Sequence, residues 1–316
     1  ARDIMNEYSI PQPKYKKCSS NVECRNIKES WGLPLVVKAD GLAAGKGVII
    51  CETESSFDEA MEVMFSKNKF GKAAQNVSIE EYLSGQELSV FAVCDGRNYR
   101  ILNTAQDHKR IYDNDEGPNT GGMGAYSPTP LSTDNIILKT RKDIIEPILA
   151  AMRDKGHPYK GFLYVGIMIV DDAPYVIEFN VRMGDPETQV VIPLLDSSLY
   201  ELLDDCIEGK LLDSLVSISD RTAVTVVLAS NGYPDSYNLG MKISGIDTFD
   251  EGLVFHAGTE FKDGVFLSSG GRVLNIVGFG NNLKQAIKNT YAIVDKINFK
   301  GKYFRTDIGQ KGLNYK

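Results

Sequence analysis

The sequence predicts an α+β fold built from several packed units, because strand-like and helix-like segments alternate along a chain too long for one core. The chain has 316 residues, whereas a domain commonly holds roughly 150. Hydrophobic residues make up 42% of it and charged residues 24%, as in ordinary globular proteins. We therefore expect a small α+β unit, a larger sheet unit and a β-rich C-terminal unit.

Charge and cysteine content argue against several classes of protein. With 35 Lys and Arg against 42 Asp and Glu, the formal net charge is −7, which disfavours broad binding to nucleic acid or to an anionic membrane. No apolar run approaches the ~18 residues of a membrane span. The five cysteines are scattered and lack a CxxC pair, so they predict reduced thiols in a cytoplasmic protein, without disulfides or a zinc site.

The first part of the chain is predicted to be a helix followed by the small α+β unit. Residues 1–8 have the pattern of a helix already under way, and two prolines end it. Apolar, β-branched runs then alternate with a segment of helical spacing. The predicted strands are residues 33–39, 47–52, 77–83 and 87–96, and the predicted helix is residues 57–65.

The second part is predicted to hold the larger sheet and the C-terminal unit. Residues 107–130 are polar and rich in Gly and Pro, which predicts a long irregular loop, and loops of that length are usually functional. Chain from residue 221 onward reads as β-rich. Between and after these segments we expect helices at residues 133–154, 194–207 and 283–297 and strands at residues 162–170 and 175–180.

A glycine-rich turn between the first two predicted strands is a candidate phosphate site. In residues 38–47 glycines let backbone amides approach phosphate oxygens, and Lys38 and Lys46 supply positive charge. The turn is not a Walker A loop, because neither Ser nor Thr follows Lys46 and no helix is predicted after it. Taken alone, the segment fits an ordinary hairpin with solvated lysines equally well.

A candidate metal site lies at the end of the strand predicted for residues 175–180. Period-two alternation puts Glu178 and Asn180 on one face, and a carboxylate beside an amide oxygen suits Mg²⁺ bound together with phosphates. For an isolated Glu-x-Asn, two exposed residues on the wet face of a sheet are the commoner explanation. Residues 182–189, however, add charged and turn-forming residues at the end of the strand, where open sheets tend to bind ligands.

Six motifs follow one another along the chain: KADGLAAGKGV, EEYLSGQE, QDHKR, GPNTGGMGAYSP, GFLYVG and IEFNVRMGDPETQ. In this order they closely resemble the glycinamide ribonucleotide synthetases, which are ATP-grasp ligases. Three later segments, HAGT, SGGRV and RTDIG, resemble the C-terminal domain of that family. The resemblance implies an ATP-grasp fold, with a helix remnant and linker (residues 1–14), a lid subdomain (15–79), a central sheet domain (80–218) and a β-rich C-terminal domain (219–316).

The resemblance also assigns roles to individual residues. Glu178 and Asn180 match the ligands of Mg²⁺, for which Mn²⁺ is a possible substitute, and Lys109 and Arg182 match catalytic positions. The implied ATP-binding residues are Lys38, Gly45, Lys46, Gly47, Glu80, Glu81, Leu83 and Glu87. The implied substrate-binding residues are Asp107, Arg110, Asn119, Gly121, Gly122, Asp185, Glu187, Thr188 and Arg272.

The function implied by the resemblance is the ATP-dependent joining of glycine to 5-phosphoribosylamine in purine biosynthesis. Glycyl phosphate is the implied intermediate, and glycinamide ribonucleotide, ADP and phosphate are the products. Two alternatives remain open from the sequence: another ATP-grasp ligase that joins a carboxylate to an amine, and a non-catalytic nucleotide-binding segment of a multifunctional purine protein. The expected partners are small molecules, without nucleic acid or membrane.

Two departures from the family pattern affect these expectations. Many ATP-grasp enzymes carry a third acidic metal ligand on the preceding strand, where this chain has Met168, so the number of metal ions stays open. The family also begins with a Gly-rich domain and a phosphate-contacting lysine that come before the opening helix, and we expect this missing N-terminal domain to be needed for full activity. We expect His108 and His256 to have structural roles more than chemical ones.

Overall fold

The computed structural model describes residues 1–39, 47–66, 76–246 and 251–315. Within these ranges the strands form a four-stranded sheet, a nine-stranded sheet and two small sheets. The four-stranded sheet belongs to the first unit, and the nine-stranded sheet runs through the rest of the chain. Because all helices pack on these two large sheets or beside them, the observed class is the predicted mixture of helix and sheet.

The first unit, which we call the lid, is an antiparallel sheet with two helices packed against it. Its strand order is β1-β4-β2-β3, and the predicted hairpin is confirmed by the antiparallel pairing of β2 with β3. A π-helical turn, Glu62–Ser66, extends α3. The elements are α1 (Arg2–Glu7), which precedes the lid, then β1 (Tyr15–Cys18), α2 (Asn21–Trp31), β2 (Leu35–Ala39), β3 (Val48–Cys51), α3 (Glu54–Met61) and β4 (Val77–Glu81).

Side-chain caps explain where the lid helices begin. The Ser20 hydroxyl accepts a hydrogen bond from the Glu23 amide at the start of α2, and Thr53 and Ser56 form a capping box at the start of α3. Cys24 on α2 and Phe57 on α3 are buried against the sheet. Each helix therefore covers the lid sheet with its apolar side.

Strand β4 is the last strand of the lid. Residues 77–80 pair with both β1 and β2, and Glu81 pairs with β2, so the boundary expected between residues 79 and 80 falls inside this strand. The chain then crosses to the large sheet through residues 82–85. A Cβ at Gly85 would lie 2.1 Å from the Ile169 carbonyl oxygen, so only glycine allows this close passage.

The central part of the chain contributes five strands to the large sheet and a separate small hairpin, β7–β8. Two helices joined by a π-helical turn, Thr140–Ile145, cover one face, which confirms the predicted helix at residues 133–154. The strands are β5 (Gln86–Asp95), β6 (Tyr99–Asp107), β7 (Arg110–Tyr112), β8 (Glu116–Asn119), β9 (Gly124–Ser127), β10 (Lys160–Val170) and β11 (Ala173–Asn180). The helices are α4 (Asp134–Lys139), α5 (Glu146–Asp154), α6 (Thr188–Val191) and α7 (Leu199–Glu208).

The C-terminal part completes the same sheet. Its order is β11-β10-β5-β6-β9-β12-β17-β14, with β18 beside β12, while β13, β15 and β16 form a small sheet. The elements are β12 (Thr222–Ser230), β13 (Lys242–Ile243), β14 (Leu253–His256), β15 (Thr259–Lys262), β16 (Val265–Ser268), β17 (Arg272–Gly280), α8 (Leu283–Val294), β18 (Lys302–Tyr303) and α9 (Gln310–Asn314).

The large sheet crosses the boundary expected between residues 218 and 219. Strand β12 pairs with β9 on one side and with β17 on the other, so all nine of its residues are buried. A strand in this position is apolar on both faces, as its sequence TAVTVVLAS shows. The central and C-terminal parts therefore share one sheet.

Two predicted elements differ from the structure. The irregular loop expected at residues 107–130 is wrong, because it contains β7, β8 and β9, and its Gly and Pro content hides their pairing. The helix expected at residues 194–207 begins later, at Leu199, where the Ser198 hydroxyl caps it by accepting from the Glu201 amide.

Two further predictions concern the cysteines and membrane-spanning segments. All five cysteines are buried and free in the structure. In the described part of the chain, no helix is both long and apolar enough to cross a membrane.

Candidate active site

The predicted metal ligands lie side by side at the edge of the large sheet. Glu178 and Asn180 are alternate residues of β11, opposite Gly166 and Tyr164 of β10. Glu178 is exposed and Asn180 is half-buried. A Cβ at Gly166 would lie only 3.1 Å from Glu178 Cγ, so the glycine leaves the space beside the carboxylate open. Two oxygen donors beside an open space fit a hard divalent cation.

Strand β10 adds no carboxylate to this pair. Met168 lies two residues beyond Gly166 on the same face, opposite Tyr175 of β11 and Glu87 of β5. Among the described residues, no group of three or more His, Cys, Asp or Glu side chains is placed to hold a metal ion. Glu178 and Asn180 would therefore need further oxygens from a ligand such as a phosphate.

Lys38 reaches from the lid to the strand that carries Glu178. Its Nζ lies 2.8 Å from Glu80 Oε2 and 3.4 Å from the carbonyl oxygen of Ile177. Burial lowers the pKa of Lys38, and Glu80 acts in the opposite direction. The Gly47 carbonyl accepts a hydrogen bond from the Ala39 amide at the end of the lid hairpin. The predicted residues Gly45 and Lys46 lie outside the described residues.

The predicted ATP-binding residues Glu80, Glu81 and Leu83 lie where the chain passes from the lid to the large sheet. The Glu80 side chain is buried and is bonded to Arg2, Lys38 and Ser78, so it faces other side chains. Glu81 bonds to the backbone of the preceding linker through both its amide and its carboxylate. Leu83 is half-buried in the crossing segment.

Glu87 and Lys109 form an ion pair on the face of the sheet next to Met168. Burial alone would raise the pKa of Glu87 and lower that of Lys109. Their mutual attraction outweighs burial, so the pKa of Glu87 is lowered and that of Lys109 is raised. Lys109 is also attracted by Asp107 and Glu178. Lys109 also lowers the pKa of Glu187. It therefore lies among four carboxyl groups, those of Glu87, Asp107, Glu178 and Glu187.

Asp107 and Glu187 are neighbouring carboxyl groups, and neither forms an ion pair with a cation of the described residues. Glu187 is buried, and its Oε1 accepts a hydrogen bond of 3.2 Å from Ser89, whose hydroxyl lies 3.0 Å from Tyr164 Oη. Among the described residues, Asp107 Oδ1 is buried and has no hydrogen-bond partner. Burial raises the pKa of both groups, and repulsion by Glu187 raises that of Asp107 further. The pair is suited to accept a cationic or proton-donating ligand.

Arg272 joins the other predicted substrate segments. It donates to the Gly121 carbonyl at 2.7 Å, to the Asp185 carbonyl at 3.0 Å and to Asp185 Oδ2 at 2.6 Å. Gly122 has φ 108°, and a Cβ there would lie 2.3 Å from Pro186 Cδ and 2.8 Å from Asp107 Oδ1. Glycine is therefore required where this loop meets the Asp107 carboxyl group.

The four remaining predicted residues are less closely tied to this cluster. The Thr188 hydroxyl donates to the Gly184 carbonyl at the start of α6. Arg182 is exposed, and among the described residues its side chain donates to the Met183 carbonyl. Arg110 and Asn119 pair across the β7–β8 hairpin, where the Arg110 side chain donates to a carbonyl of the same hairpin.

The sequence interpretation missed several residues that build the site. The Ser89 hydroxyl donates to Glu187 Oε1 and forms a hydrogen bond with Tyr164 Oη. Gly166 makes room beside Glu178. Tyr164 and Gly166 lie inside the GFLYVG motif, so the motif was the available signal. Arg2 bonds to Glu80 across 78 positions of sequence, a contact that spacing cannot reveal.

His108 and His256, the two histidines for which structural roles were predicted, differ in their surroundings. His108 is buried, with Nδ1 3.2 Å from the Gly124 carbonyl oxygen and Nε2 accepting from the Gly309 amide at 3.3 Å. Burial lowers the pKa of His108 to about 3. His256 is exposed beside Thr259. Neither histidine has a described hydrogen bond to the carboxylates of the site.

A lid sheet that places a lysine over a strand ending in Glu-x-Asn defines a nucleotide-dependent ligase of the ATP-grasp class. Residues 1–188 match the family profile described as phosphoribosylglycinamide synthetase, ATP-grasp (A) domain, and residues 223–311 match the C domain of the same enzyme. The chain belongs to the phosphoribosylglycinamide synthetase family.

Individual relatives agree with this family. The phosphoribosylamine–glycine ligase of Leptospira interrogans is 44% identical over 315 residues, which are 99% of this chain and 74% of the relative. The crystal structure of the Thermotoga maritima phosphoribosylamine–glycine ligase superposes with a TM-score of 0.87 at 36% identity, covering 97% of this chain and 76% of that one. The biotin carboxylase domain of Hydrogenobacter thermophilus 2-oxoglutarate carboxylase, in complex with MgADP and bicarbonate, shares the fold alone, with a TM-score of 0.70 at 14% identity.

Proposed function

We propose that this chain is an ATP-dependent carbon–nitrogen ligase of purine biosynthesis that joins glycine to 5-phosphoribosylamine. The observation that carries the proposal is the placement of Lys38 of the lid beside the strand that ends in Glu178 and Asn180. Family membership supports the same reaction, because the matched relatives are named for it. A cytoplasmic location is part of the proposal.

The proposed reaction has two steps. A carboxylate resists attack by an amine because its charge opposes the incoming electron pair, so a glycine oxygen first takes the terminal phosphoryl group of ATP and ADP leaves. The amine nitrogen of 5-phosphoribosylamine then attacks the acyl carbon of glycyl phosphate, phosphate departs and the nitrogen loses a proton. Phosphoryl transfer of this kind depends on positioning and on compensation of negative charge.

The described residues divide between the two halves of this reaction. Lys38 would bind phosphate oxygens from the lid side. Glu87 and the segment of residues 80–83 would hold the nucleoside. Glu178 and Asn180 would hold Mg²⁺ or Mn²⁺, which when bound supplies positive charge to the phosphate oxygens. The Asp107–Glu187 carboxyl pair, close to Lys109, would face the amino groups of the acceptor side, where Arg272 orders the surrounding loops.

The metal assignment is tested by Glu178→Gln, which removes the charge and keeps the shape. We expect glycine-dependent ADP formation to fall by roughly 10²-fold or more, as when one preorganised charge-stabilising group is lost. Stability should hardly change, because Glu178 is exposed at the end of its strand. Glu260→Gln, an equally exposed glutamate on β15, is the matched control. Unchanged Mg²⁺ dependence of ADP formation in Glu178→Gln would refute the assignment.

The substrate is tested by measuring ADP release with different carboxylates. Release that requires glycine and is absent with bicarbonate supports the proposed reaction, whereas the reverse indicates another ATP-grasp ligase. ATP binding without ADP release for any carboxylate, tested with 5-phosphoribosylamine and with the N-terminal domain of a full-length relative supplied, indicates a nucleotide-binding segment without catalysis.

We propose further that full turnover depends on more sequence than these 316 residues. The chain spans 74% of the length of the Leptospira relative, and the resembling family places a Gly-rich domain before the opening helix. We expect MgATP binding to be measurable by calorimetry and glycinamide ribonucleotide formation to be weak. Product formation should increase when the N-terminal domain of a full-length relative is supplied. Full turnover by the 316 residues alone would contradict this expectation.

A further inference from the structure

Arg2, on the helix that precedes the lid, joins the lid to the strand of the metal ligands. Its Nε and Nη2 donate to the two carboxylate oxygens of Glu80 at 3.0 and 2.6 Å. Its Nη1 donates to the Val176 carbonyl at 3.0 Å, and its Nη2 donates to the Ile177 carbonyl at 2.9 Å. The guanidinium group thus bridges β4 of the lid and the residues of β11 just before Glu178.

Lys38 uses two of the same acceptors. Its Nζ lies 2.8 Å from Glu80 Oε2 and 3.4 Å from the Ile177 carbonyl oxygen, the two atoms to which Arg2 Nη2 donates. The three side chains are largely withdrawn from solvent, with exposed fractions of 12% for Arg2, 3% for Glu80 and 18% for Lys38. Two cations therefore share one carboxylate and one carbonyl in a poorly solvated site.

This sharing sets the charge and the position of Lys38. Glu80 alone would neutralise Lys38 in a one-to-one pair, whereas the group of three has one excess positive charge. A bidentate guanidinium also fixes the carboxylate plane, so the oxygen that faces Lys38 stays in one place. Arg2 in turn repels the ammonium group, which weakens the hold of Glu80 on it. Lys38 is then held in position but is less tightly neutralised.

We propose that Arg2 is a positioning residue that keeps Lys38 and its positive charge available to the phosphate groups of the nucleotide. This inference rests on the proposed function, which assigns Lys38 to those phosphates. Arg2 acts on Lys38 through Glu80 and the Ile177 carbonyl, without touching the reacting atoms. Its effect should therefore depend on how much phosphate charge the ligand carries.

The test compares ligands with different numbers of phosphates. In Arg2→Met we expect the dissociation constant of MgATP to rise about tenfold, as for the loss of one charge-assisted interaction, that of ADP to rise less and that of adenosine to change less than about twofold. Isothermal calorimetry measures all three. Arg25→Met, which removes an exposed lid arginine paired with Asp58, is the control and should leave all three constants unchanged.

The conservative variant and a double variant separate positioning from simple structural support. Arg2→Lys keeps the charge but cannot bond to four acceptors, so it should recover part of the MgATP affinity. In a Lys38→Met background, adding Arg2→Met should have little further effect on the difference between ATP and adenosine, because the two residues act in one chain of contacts. If Arg2→Met does not fold, Arg2→Lys and its Lys38→Met double variant carry the test.

The possible outcomes distinguish this inference from the proposed function. Equal losses for ATP and adenosine in Arg2→Met, or no loss at all, would overturn the positioning role while leaving the ligase proposal intact. Additive effects of the two substitutions would also overturn it. If Lys38→Met itself binds ATP and adenosine as the unchanged chain does, the assignment of Lys38 to the phosphates fails, and the inference fails with it.

Discussion

Two clusters of charged side chains lie close to each other in this protein, and they differ in the balance of their charges. Around Arg305, which is completely buried, two cations face two acids, and Arg305 bonds to both Asp307 oxygens at 2.8 and 2.7 Å and to Asp115 at 3.0 Å. Lys311 pairs with the other oxygen of Asp115. In the active site, by contrast, Lys109 is outnumbered by nearby carboxyl groups, and Asp107 Oδ1 has no described partner.

The pKa values of the acids follow this difference. Burial alone would raise the pKa of Asp307, but the bonds from Arg305 outweigh it and lower the value to about 2. In the active site, burial and a neighbouring acid raise the pKa of Asp107 well above its usual range. A network in which Arg305 and Lys311 are each paired with an acid holds the β7–β8 hairpin to the C-terminal part, whereas an acid-rich cluster that is only partly paired retains binding capacity for a ligand.

The largest expected effect comes from breaking the balanced cluster. Arg305→Met leaves two acids without their buried partner, so we expect the free energy of unfolding to fall by about 3–5 kcal/mol. Urea unfolding measures this loss. Arg25→Met removes an exposed pair with Asp58 and should cost less than about 1 kcal/mol. A loss of similar small size in Arg305→Met would show that the cluster is not what anchors the hairpin.

A smaller effect of opposite sign is expected in the active site. Because the folded-state pKa of Asp107 is raised, the folded state binds a proton more strongly than the unfolded state does, and stability is lost as pH rises through the folded pKa. Asp107→Asn removes this penalty, so we expect it to increase the free energy of unfolding at pH 8 by about 1 kcal/mol, the low end for replacing an unfavourable buried charge. Glycine-dependent turnover should be lost at the same time.

The pH dependence provides the control for Asp107→Asn. The gain in unfolding free energy from Asp107→Asn should shrink as pH falls towards the usual carboxyl range, where Asp107 of the unchanged chain is protonated and uncharged as well. Asp95, whose pKa is lowered because the Arg97 and Asn98 amides donate to it and outweigh burial, should behave in the opposite way, and Asp95→Asn should destabilise the protein at pH 8. Destabilisation by both substitutions would contradict the contrast between these acids.

The two clusters also show which features of the fold and of the candidate site can be predicted from the sequence. Alternation alone predicted that Glu178 and Asn180 lie on one face, and through resemblance the motif order assigned Asp107, Lys109 and Glu187 to the candidate site, which stays a prediction. Strong local patterns allowed β2–β5, β10, β11, α3, α8 and the α4–α5 segment to be predicted within a few residues, whereas β1, α2 and β6 were not predicted. A strand or a helix produces a repeating pattern of apolar residues at nearby positions, so the sequence alone can reveal it.

Contacts between distant segments were beyond the sequence reasoning. Arg305 bonds to Asp115 across 190 positions, and Arg2 bonds to Glu80 across 78, so no spacing rule connects them. The β7–β8 hairpin was missed for the same reason, since Asp113 and Asp115 are held by residues near the C-terminus. The continuity of the large sheet through β9 and β12 likewise depends on pairing that local pattern does not specify.

The smallest effect is expected at His108, which separates the two clusters. It stands between Asp107 and Lys109 in sequence, yet its side chain is influenced by Lys311 and Arg305 of the balanced cluster. Both ring nitrogens are engaged, Nδ1 with the Gly124 carbonyl and Nε2 with the Gly309 amide. A glutamine amide can also donate and accept, so His108→Gln should change turnover and the free energy of unfolding at pH 7.5 only slightly.

The two forms should differ when the pH is lowered. The pKa of His108 is about 3 in the folded state against 6.5 in the unfolded state, so below pH 6.5 the unfolded state takes up a proton that the folded state does not. The unchanged chain should therefore lose about 1 kcal/mol more unfolding free energy than His108→Gln between pH 7.5 and pH 5.5. Urea unfolding at the two pH values measures this difference. Loss of turnover in a stable His108→Gln variant would instead assign His108 to the chemistry of the acid-rich cluster.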